Sequence, residues 1–111
     1  VWVAADVGPV VNYSSTENQI EGSVVDGVST MHLELGIEDG RIREGNFHEY
    51  PLLRIGKAPK VEVHFAKTDF PPTGAGEPAF PPVAPAVANA VFAATGRRVR
   101  QLPMMKDARL A

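Results

Sequence analysis

The sequence predicts one small α+β domain: a mixed sheet, two main helices and a rigid loop rich in proline and glycine. Three observations predict it. Apolar and polar residues alternate over Lys60–Ala66, the mark of a half-buried strand. Apolar residues recur at helical spacing over Thr16–Met31, and Pro85–Thr95 is an apolar, alanine-rich run with helix-end residues at both ends. Between Phe70 and Pro82 the prolines and glycines are too dense for regular structure. With 111 residues the chain fits one domain.

Each element has its own warrant. Val1–Val7 is apolar and β-branched around Trp2 and suits a strand, which Asp6-Val7-Gly8-Pro9 ends with turn chemistry; Val10-Val11 is a short second stretch. Ser15 or Thr16 is the expected N-cap of the first helix, with Thr16-Glu17-Asn18-Gln19 as a capping box and Gln19 at N3. Ile20, Val24, Val28 and Met31 form its apolar stripe. Gly22 and Gly27 weaken it by about 1 kcal/mol each relative to alanine and are read as points of close approach by another backbone. Glu38-Asp39-Gly40 joins the strand-like runs Leu33–Ile37 and Arg41–Glu44, a hairpin signal. Asn46–Pro51 is a loop or short extended piece. In the later strand Val61, Val63 and Phe65 face one side, Glu62 and His64 the other. Pro85 suits the first turn of the second helix and Gly96 its C′ position. That helix is apolar nearly all round except at Asn89, so it is expected to be buried on several sides, more than so small a domain can cover. Arg97–Leu102 reads as a last short strand and Lys106–Ala111 as a frayed tail. No internal repeat is visible.

Composition excludes several function classes. Net charge is −2, so no global field attracts nucleic acid or an anionic membrane. The chain has no cysteine, which excludes disulfides, thiolate metal sites and cysteine-bound iron–sulfur clusters within it. No apolar run approaches the roughly 18–20 residues that span a bilayer. The opening Val1-Trp2-Val3-Ala4-Ala5 has neither an initiator methionine nor a basic leader and reads as a cut into a longer chain. The compartment, cytoplasmic or periplasmic, is not readable.

Candidate chemistry is sparse. His32, His48 and His64 lie sixteen residues apart in each case, which matches no local metal-ligand pattern. Gly74-Ala75-Gly76 lacks the third glycine of a dinucleotide fingerprint and the lysine of a P-loop. Arg97, Arg98 and Arg100 read as a solvated edge. Glu77 stands on a loop braced by prolines and flanked by glycines, where a carboxylate has little freedom. That suits a catalytic group, but the residues alone favour a solvent-exposed glutamate or one that caps the backbone after it. Gln19 has two readings as well: partner of Thr16 in the cap, which the residues alone favour, or an amide facing a polar ligand near a helix N-terminus.

Several stretches then occur in a telling order: Asp6-Val7-Gly8-Pro9-Val10-Val11-Asn12, Gln19-Ile20-Glu21-Gly22, Asn46-Phe47-His48-Glu49-Tyr50-Pro51, Gly74-Ala75-Gly76-Glu77-Pro78, and Pro81-Pro82-Val83-Ala84-Pro85 running on to Phe92. The series resembles the C-terminal part of the molybdopterin-binding large subunit of molybdenum hydroxylases, the xanthine dehydrogenase and aldehyde oxidase family. Within that family, the Asn46–Tyr50 stretch and Ala94-Thr95-Gly96-Arg97-Arg98-Val99-Arg100 are most similar to the branch of the isoquinoline 1-oxidoreductase β chain.

The resemblance implies that residues 1–111 are the C-terminal segment of a molybdopterin-binding domain. It implies an oxidoreductase that hydroxylates an N-heterocycle or an aldehyde with oxygen from water. A glutamate in a Gly-x-Gly-Glu loop is the family's general base, and Glu77 matches it. Gly74 and Gly76 match the loop glycines that approach the cofactor, and Gln19 matches a glutamine that contacts the pterin. The implied cofactor is molybdopterin in its cytosine dinucleotide form. The implied partners are the rest of the large subunit, an iron–sulfur electron-transfer subunit and a small-molecule substrate, with no nucleic acid and no membrane span. Much of the family's pterin site lies outside this segment, so the isolated chain is expected to hold no molybdenum and to be inactive. A second reading is a stand-alone, non-catalytic binding or assembly module whose apolar helix docks on a partner around Val87, Val91 and Phe92. A third, an unrelated small hydrolase using Glu77, lacks a second catalytic residue in any recognisable arrangement.

Overall fold

In chain order the elements are β1 (Trp2–Ala5), α1 (Tyr13–Thr30), the short strands β2 (Ile37–Glu38) and β3 (Arg41–Ile42), a 3-10 turn at Ile55–Lys57, β4 (Glu62–Phe65) and α2 (Val83–Thr95). They come from a computed structural model that describes residues 1–104. The expected tail at Lys106–Ala111 lies outside those residues.

The class is α+β, with strands of both senses. β1 pairs with β4 in parallel, Trp2 opposite Glu62 and Ala5 opposite Phe65, while β2 and β3 form a separate antiparallel pair. Parallel neighbours cannot be joined by a tight turn, and here the whole of α1 and the hairpin lie between them. The expected alternation is observed. Val3, Ala5, Val61, Val63 and Phe65 pack on a core of Ile20, Val24, Ala79 and Val83, while Glu62 and His64 are exposed. Trp2 lies on the outer face, its Nε1 donating to Glu62 Oε2 at 3.1 Å.

α1 starts three residues before the expected Thr16, and the capping box does not form. Asn12 is the N-cap, and its side chain accepts from Ser15 N at 3.0 Å. Thr16 lies inside the first turn and donates its hydroxyl to the Asn12 carbonyl at 2.8 Å. Asparagine caps as well as serine, and the earlier start also sets the Tyr13 ring edge-on to Phe65 of β4, 5.7 Å between centroids. Of the two helix glycines, Gly27 is a point of close approach, but to a side chain: a Cβ there would stand 2.8 Å from Val83 Cβ. Gly22 has nothing within 4 Å.

The Asp39-Gly40 turn forms as expected, with φ of 49° and 75°. Beside it Arg43 N donates to Gly36 O at 2.8 Å, and Glu44 accepts from Gly36 N at 2.7 Å and from Arg43 Nε at 2.9 Å. The Gly36 amide and then the Arg43 guanidinium hold the Glu44 carboxyl below its ordinary range, and Glu44 in turn raises Arg43.

One expectation for the last third is corrected. Arg97–Leu102 is not a strand, because a strand requires a partner edge and the described strands pair only as β1 with β4 and β2 with β3. Arg98 instead folds back on α2, its guanidinium 3.6 Å from the Phe92 ring centre and donating to Asn89 at 2.9 Å. As expected of a helix more apolar than so small a domain can cover, α2 is only partly covered by this chain: Val83 is buried, whereas Ala86, Ala90, Ala93 and Ala94 are exposed. Trp2, Val11, Phe47 and Ile55 are exposed as well. The radius of gyration, 16.4 Å, exceeds the roughly 13 Å of a compact chain this long. Much of the chain's apolar surface is therefore left uncovered by the chain itself.

Candidate functional site

A cleft of about 510 Å³ opens between one face of α1 and the loop that leads into α2, within the usual range for small-molecule sites. Its walls are Asn18, Gln19, Gly22, Ser23 and Asp26 from the helix and Gly76, Glu77, Phe80 and Pro81 from the loop.

The loop is held at both ends. Upstream, Thr73 N donates to Val7 O at 3.0 Å. Gly8, at φ 71°, lies so close beneath the loop that a Cβ would stand 2.7 Å from Phe70 O and 3.0 Å from Pro71 O and Pro72 Cα. Only glycine satisfies that backbone angle and that approach together. Asp6 Oδ1 accepts from Thr68 Oγ1 at 2.6 Å and from Gly8 N at 3.3 Å, joining the end of β1 to the segment after β4. Downstream, Ser23 Oγ donates to Gly76 O at 2.6 Å. Phe80 N then donates to Glu77 O at 3.0 Å, Val83 N to Phe80 O at 3.2 Å, and Ala79 is buried in the core.

Three of the four residues singled out from the sequence meet at this cleft. Gln19 lies in the second turn of α1 and, with Asn12 as the cap, is not spent on capping. A Cβ on Gly76 would stand 3.9 Å from Gln19 Oε1. Glu77 follows on the same wall. Neither the Gln19 amide nor the Glu77 carboxylate makes a hydrogen bond among the described residues, so both are available to a ligand. Gly74 does not line the cleft and has nothing within 4 Å of its Cβ position. His32, His48 and His64 do not come together, and no group of three metal-ligating side chains forms among the described residues.

Sequence reasoning missed Asn18, Ser23, Asp26 and Phe80. A signal existed for part of the set: Gln19, Ser23 and Asp26 are spaced i, i+4, i+7, a polar stripe beside the apolar one. Chemically the cleft offers two uncommitted amides, Asn18 and Gln19, two carboxylates, Asp26 and Glu77, a bare stretch of backbone at Gly76 and an aromatic edge at Phe80. That is a surface for a planar, hydrogen-bonding organic ligand rather than a bare ion.

Residues 1–59 match the family model of the molybdopterin cofactor-binding domain. The chain is 35% identical over 105 residues to the β chain of isoquinoline 1-oxidoreductase from Brevundimonas diminuta, covering 94% of this chain and 13% of the relative. It is 35% identical over 109 residues to a subunit of nicotinate dehydrogenase from Pseudomonas putida, covering 96% of this chain and 9% of the relative. The chain thus spans a small part of these relatives' length. In fold it matches the crystal structure of quinoline 2-oxidoreductase from Pseudomonas putida 86 with a TM-score of 0.77 at 21% identity, over 93% of this chain and 14% of that one. The ordered motifs and a family match over more than half of the chain agree: this chain belongs to the molybdopterin cofactor-binding domain family of the molybdenum hydroxylases.

Proposed function

We propose that this chain forms one wall of the active site of a molybdopterin-dependent oxidoreductase subunit, with Glu77 as general base. The observation that carries the reading is the convergence of Gln19, Gly76 and Glu77 on one cleft with the Gln19 amide and the Glu77 carboxylate uncommitted. The residues fit the implied cofactor. A Cβ at Gly76 would project into the space beside Gln19 Oε1, so the bare backbone leaves room for a flat group, and the Gln19 amide both donates and accepts as a pterin edge requires. When bound, the molybdenum cofactor supplies a Lewis-acidic metal that acidifies water and a sink for two electrons. Glu77 would serve as the group that takes a proton from water in the cleft, and its anchored loop leaves the carboxylate little freedom beyond its own side-chain torsions. Gln19 orients the pterin. Gly74 is not part of the cleft wall.

The proposed substrate is an N-heterocycle or an aldehyde. Two relatives are named for isoquinoline and nicotinate, both N-heterocycles. The cytosine dinucleotide form of the cofactor, the rest of the large subunit and an iron–sulfur electron-transfer subunit belong to the same proposal. So does the inactivity of the isolated chain: purified alone it is expected to carry no stoichiometric molybdenum, and a one-to-one metal content by elemental analysis would overturn that.

The test is Glu77→Gln in the full-length, cofactor-loaded enzyme, assayed with isoquinoline, nicotinate and an aromatic aldehyde and an artificial electron acceptor. Turnover is expected to fall by about 10²–10⁴-fold, the span general-base catalysis contributes, with molybdenum content unchanged. Unchanged turnover would remove Glu77 from the chemistry. The second reading, a non-catalytic assembly element, would then lead, since the exposed alanines of α2 and exposed Trp2, Phe47 and Ile55 form ready docking surface.

A further inference from the structure

The hydroxyl-bearing residues of this chain divide by what they bond. Thr16, Thr30 and Thr95 each donate to the carbonyl four residues back in their own helix, at 2.8, 3.0 and 2.7 Å. That is the usual fate of a hydroxyl in a helix. Ser23 differs. It is buried in the middle of α1, and its Oγ reaches across to the Gly76 carbonyl, 53 positions away, at 2.6 Å.

We propose that Ser23 is a positioning residue for Glu77: its hydroxyl docks the Gly76–Glu77 peptide onto α1 and thereby sets where the carboxylate can reach. The inference rests on the reading of Glu77 as base and goes beyond it. The geometry is restrictive. A peptide unit is planar, so holding the Gly76 carbonyl also orients the amide nitrogen of Glu77. Pro78 follows, and a residue before proline is confined to extended backbone. The Glu77 carbonyl is held in turn by Phe80 N at 3.0 Å. With backbone restrained on both sides, Glu77 retains little beyond the torsions of its own side chain. Ser23 also sits one helical turn from Gln19, so the same bond keeps Gly76 beside the Gln19 amide. No other described side chain is hydrogen-bonded to residues 74–80, so nothing else replaces this tie if it is lost.

Ser23→Ala removes the hydroxyl with little change of volume and a gain in helix propensity, so α1 stays folded; Ser23→Thr keeps a hydroxyl. In the full-length, cofactor-loaded subunit, hydrogen exchange of amides 76–80 is the first readout and needs no turnover. Ser23→Ala is expected to speed it roughly fivefold or more, and Ser23→Thr to return it toward wild type. Turnover is the second readout. Ser23→Ala is expected to lower kcat by about 10- to 100-fold with KM nearly unchanged, because misplacing a group by about 1 Å costs on that order. In a Glu77→Gln background it is expected to lower the residual rate no further, since residues that act as one unit are not additive. Unchanged exchange in Ser23→Ala, a Ser23→Thr protein no better than Ser23→Ala, or an equal loss with and without Glu77 would each overturn the proposal. Failure of the base reading shows separately, as Glu77→Gln with full turnover, and the exchange comparison then still decides whether Ser23 holds the loop.

Discussion

Two parts of this molecule hold together in opposite ways. The part that bears the cleft, β1, α1, β4 and the loop into α2, is joined by contacts between residues far apart in sequence: Asp6 with Thr68, Val7 with Thr73, Ser23 with Gly76, Gly27 with Val83. The arm between α1 and β4 is joined mainly by neighbours. Arg43 bonds Glu44, Gly45 N bonds Glu49, and the Asp39-Gly40 turn closes two strands of two residues each. One of the arm's few ties to the body is Leu53 N donating to Ser29 Oγ at 2.8 Å. The cleft lies in the first kind of structure. The arm keeps Ile37, Ile42 and Phe47 exposed.

The comparison is sharpest at two glycines with nearly equal φ, Gly8 at 71° and Gly40 at 75°. Alanine at either strains the backbone by about 1–2 kcal/mol. At Gly8 the new methyl also meets Phe70, Pro71 and Pro72, while Gly40 has nothing within 4 Å. Gly8→Ala is therefore expected to cost about 3 kcal/mol or more and to raise hydrogen exchange across β1, β4 and residues 70–80. Gly40→Ala is expected to cost about 1 kcal/mol and to raise exchange in the arm alone. Equal effects, or a spread of the Gly40 effect into the cleft, would break the division between the two parts.

The smallest expected effect is acid loosening of the arm. Glu44 has a folded pKa below its ordinary value, so its contribution is present above the unfolded value of about 4.3 and is lost as pH falls through the lower folded one. Protection of the Gly36 and Arg43 amides, divided by the intrinsic exchange rate at each pH, is expected to hold down to about pH 5 and to fall below about pH 4. Glu44→Gln is expected to abolish that pH dependence. A dependence that survives the substitution would assign it to another group.

Much of this was legible in the residues. The alternation of Val61, Val63 and Phe65 with Glu62 and His64 depends on a two-residue period and reads directly as one buried and one exposed face. Asp39-Gly40 marks its turn because few residues adopt positive φ at both positions. Gly96 ends α2 in left-handed backbone as its position after the last alanines suggests. Within the site, Glu77 and Gly76 could be singled out because prolines and glycines around a lone acid are an unusual local pattern. Gln19 could be singled out too, yet with the wrong local role, since a Thr-x-x-Gln pattern and a free glutamine look alike before the cap is known.

By itself, then, the sequence determined the element types, the hairpin, the stop of the second helix and the motif order that places the chain in its family. Each of these rests on interactions spanning a few residues or on the order of short stretches. The tertiary structure alone decided that Asn12 rather than Thr16 caps α1, that Arg97–Leu102 forms no strand, and that Ser23 ties down Gly76. The physical reason is common to all three. A cap is a contest among several competent side chains, a strand exists only beside another strand, and a hydroxyl chooses between its own helix and whatever carbonyl lies opposite. Each outcome is set by a neighbour in space that no local pattern names.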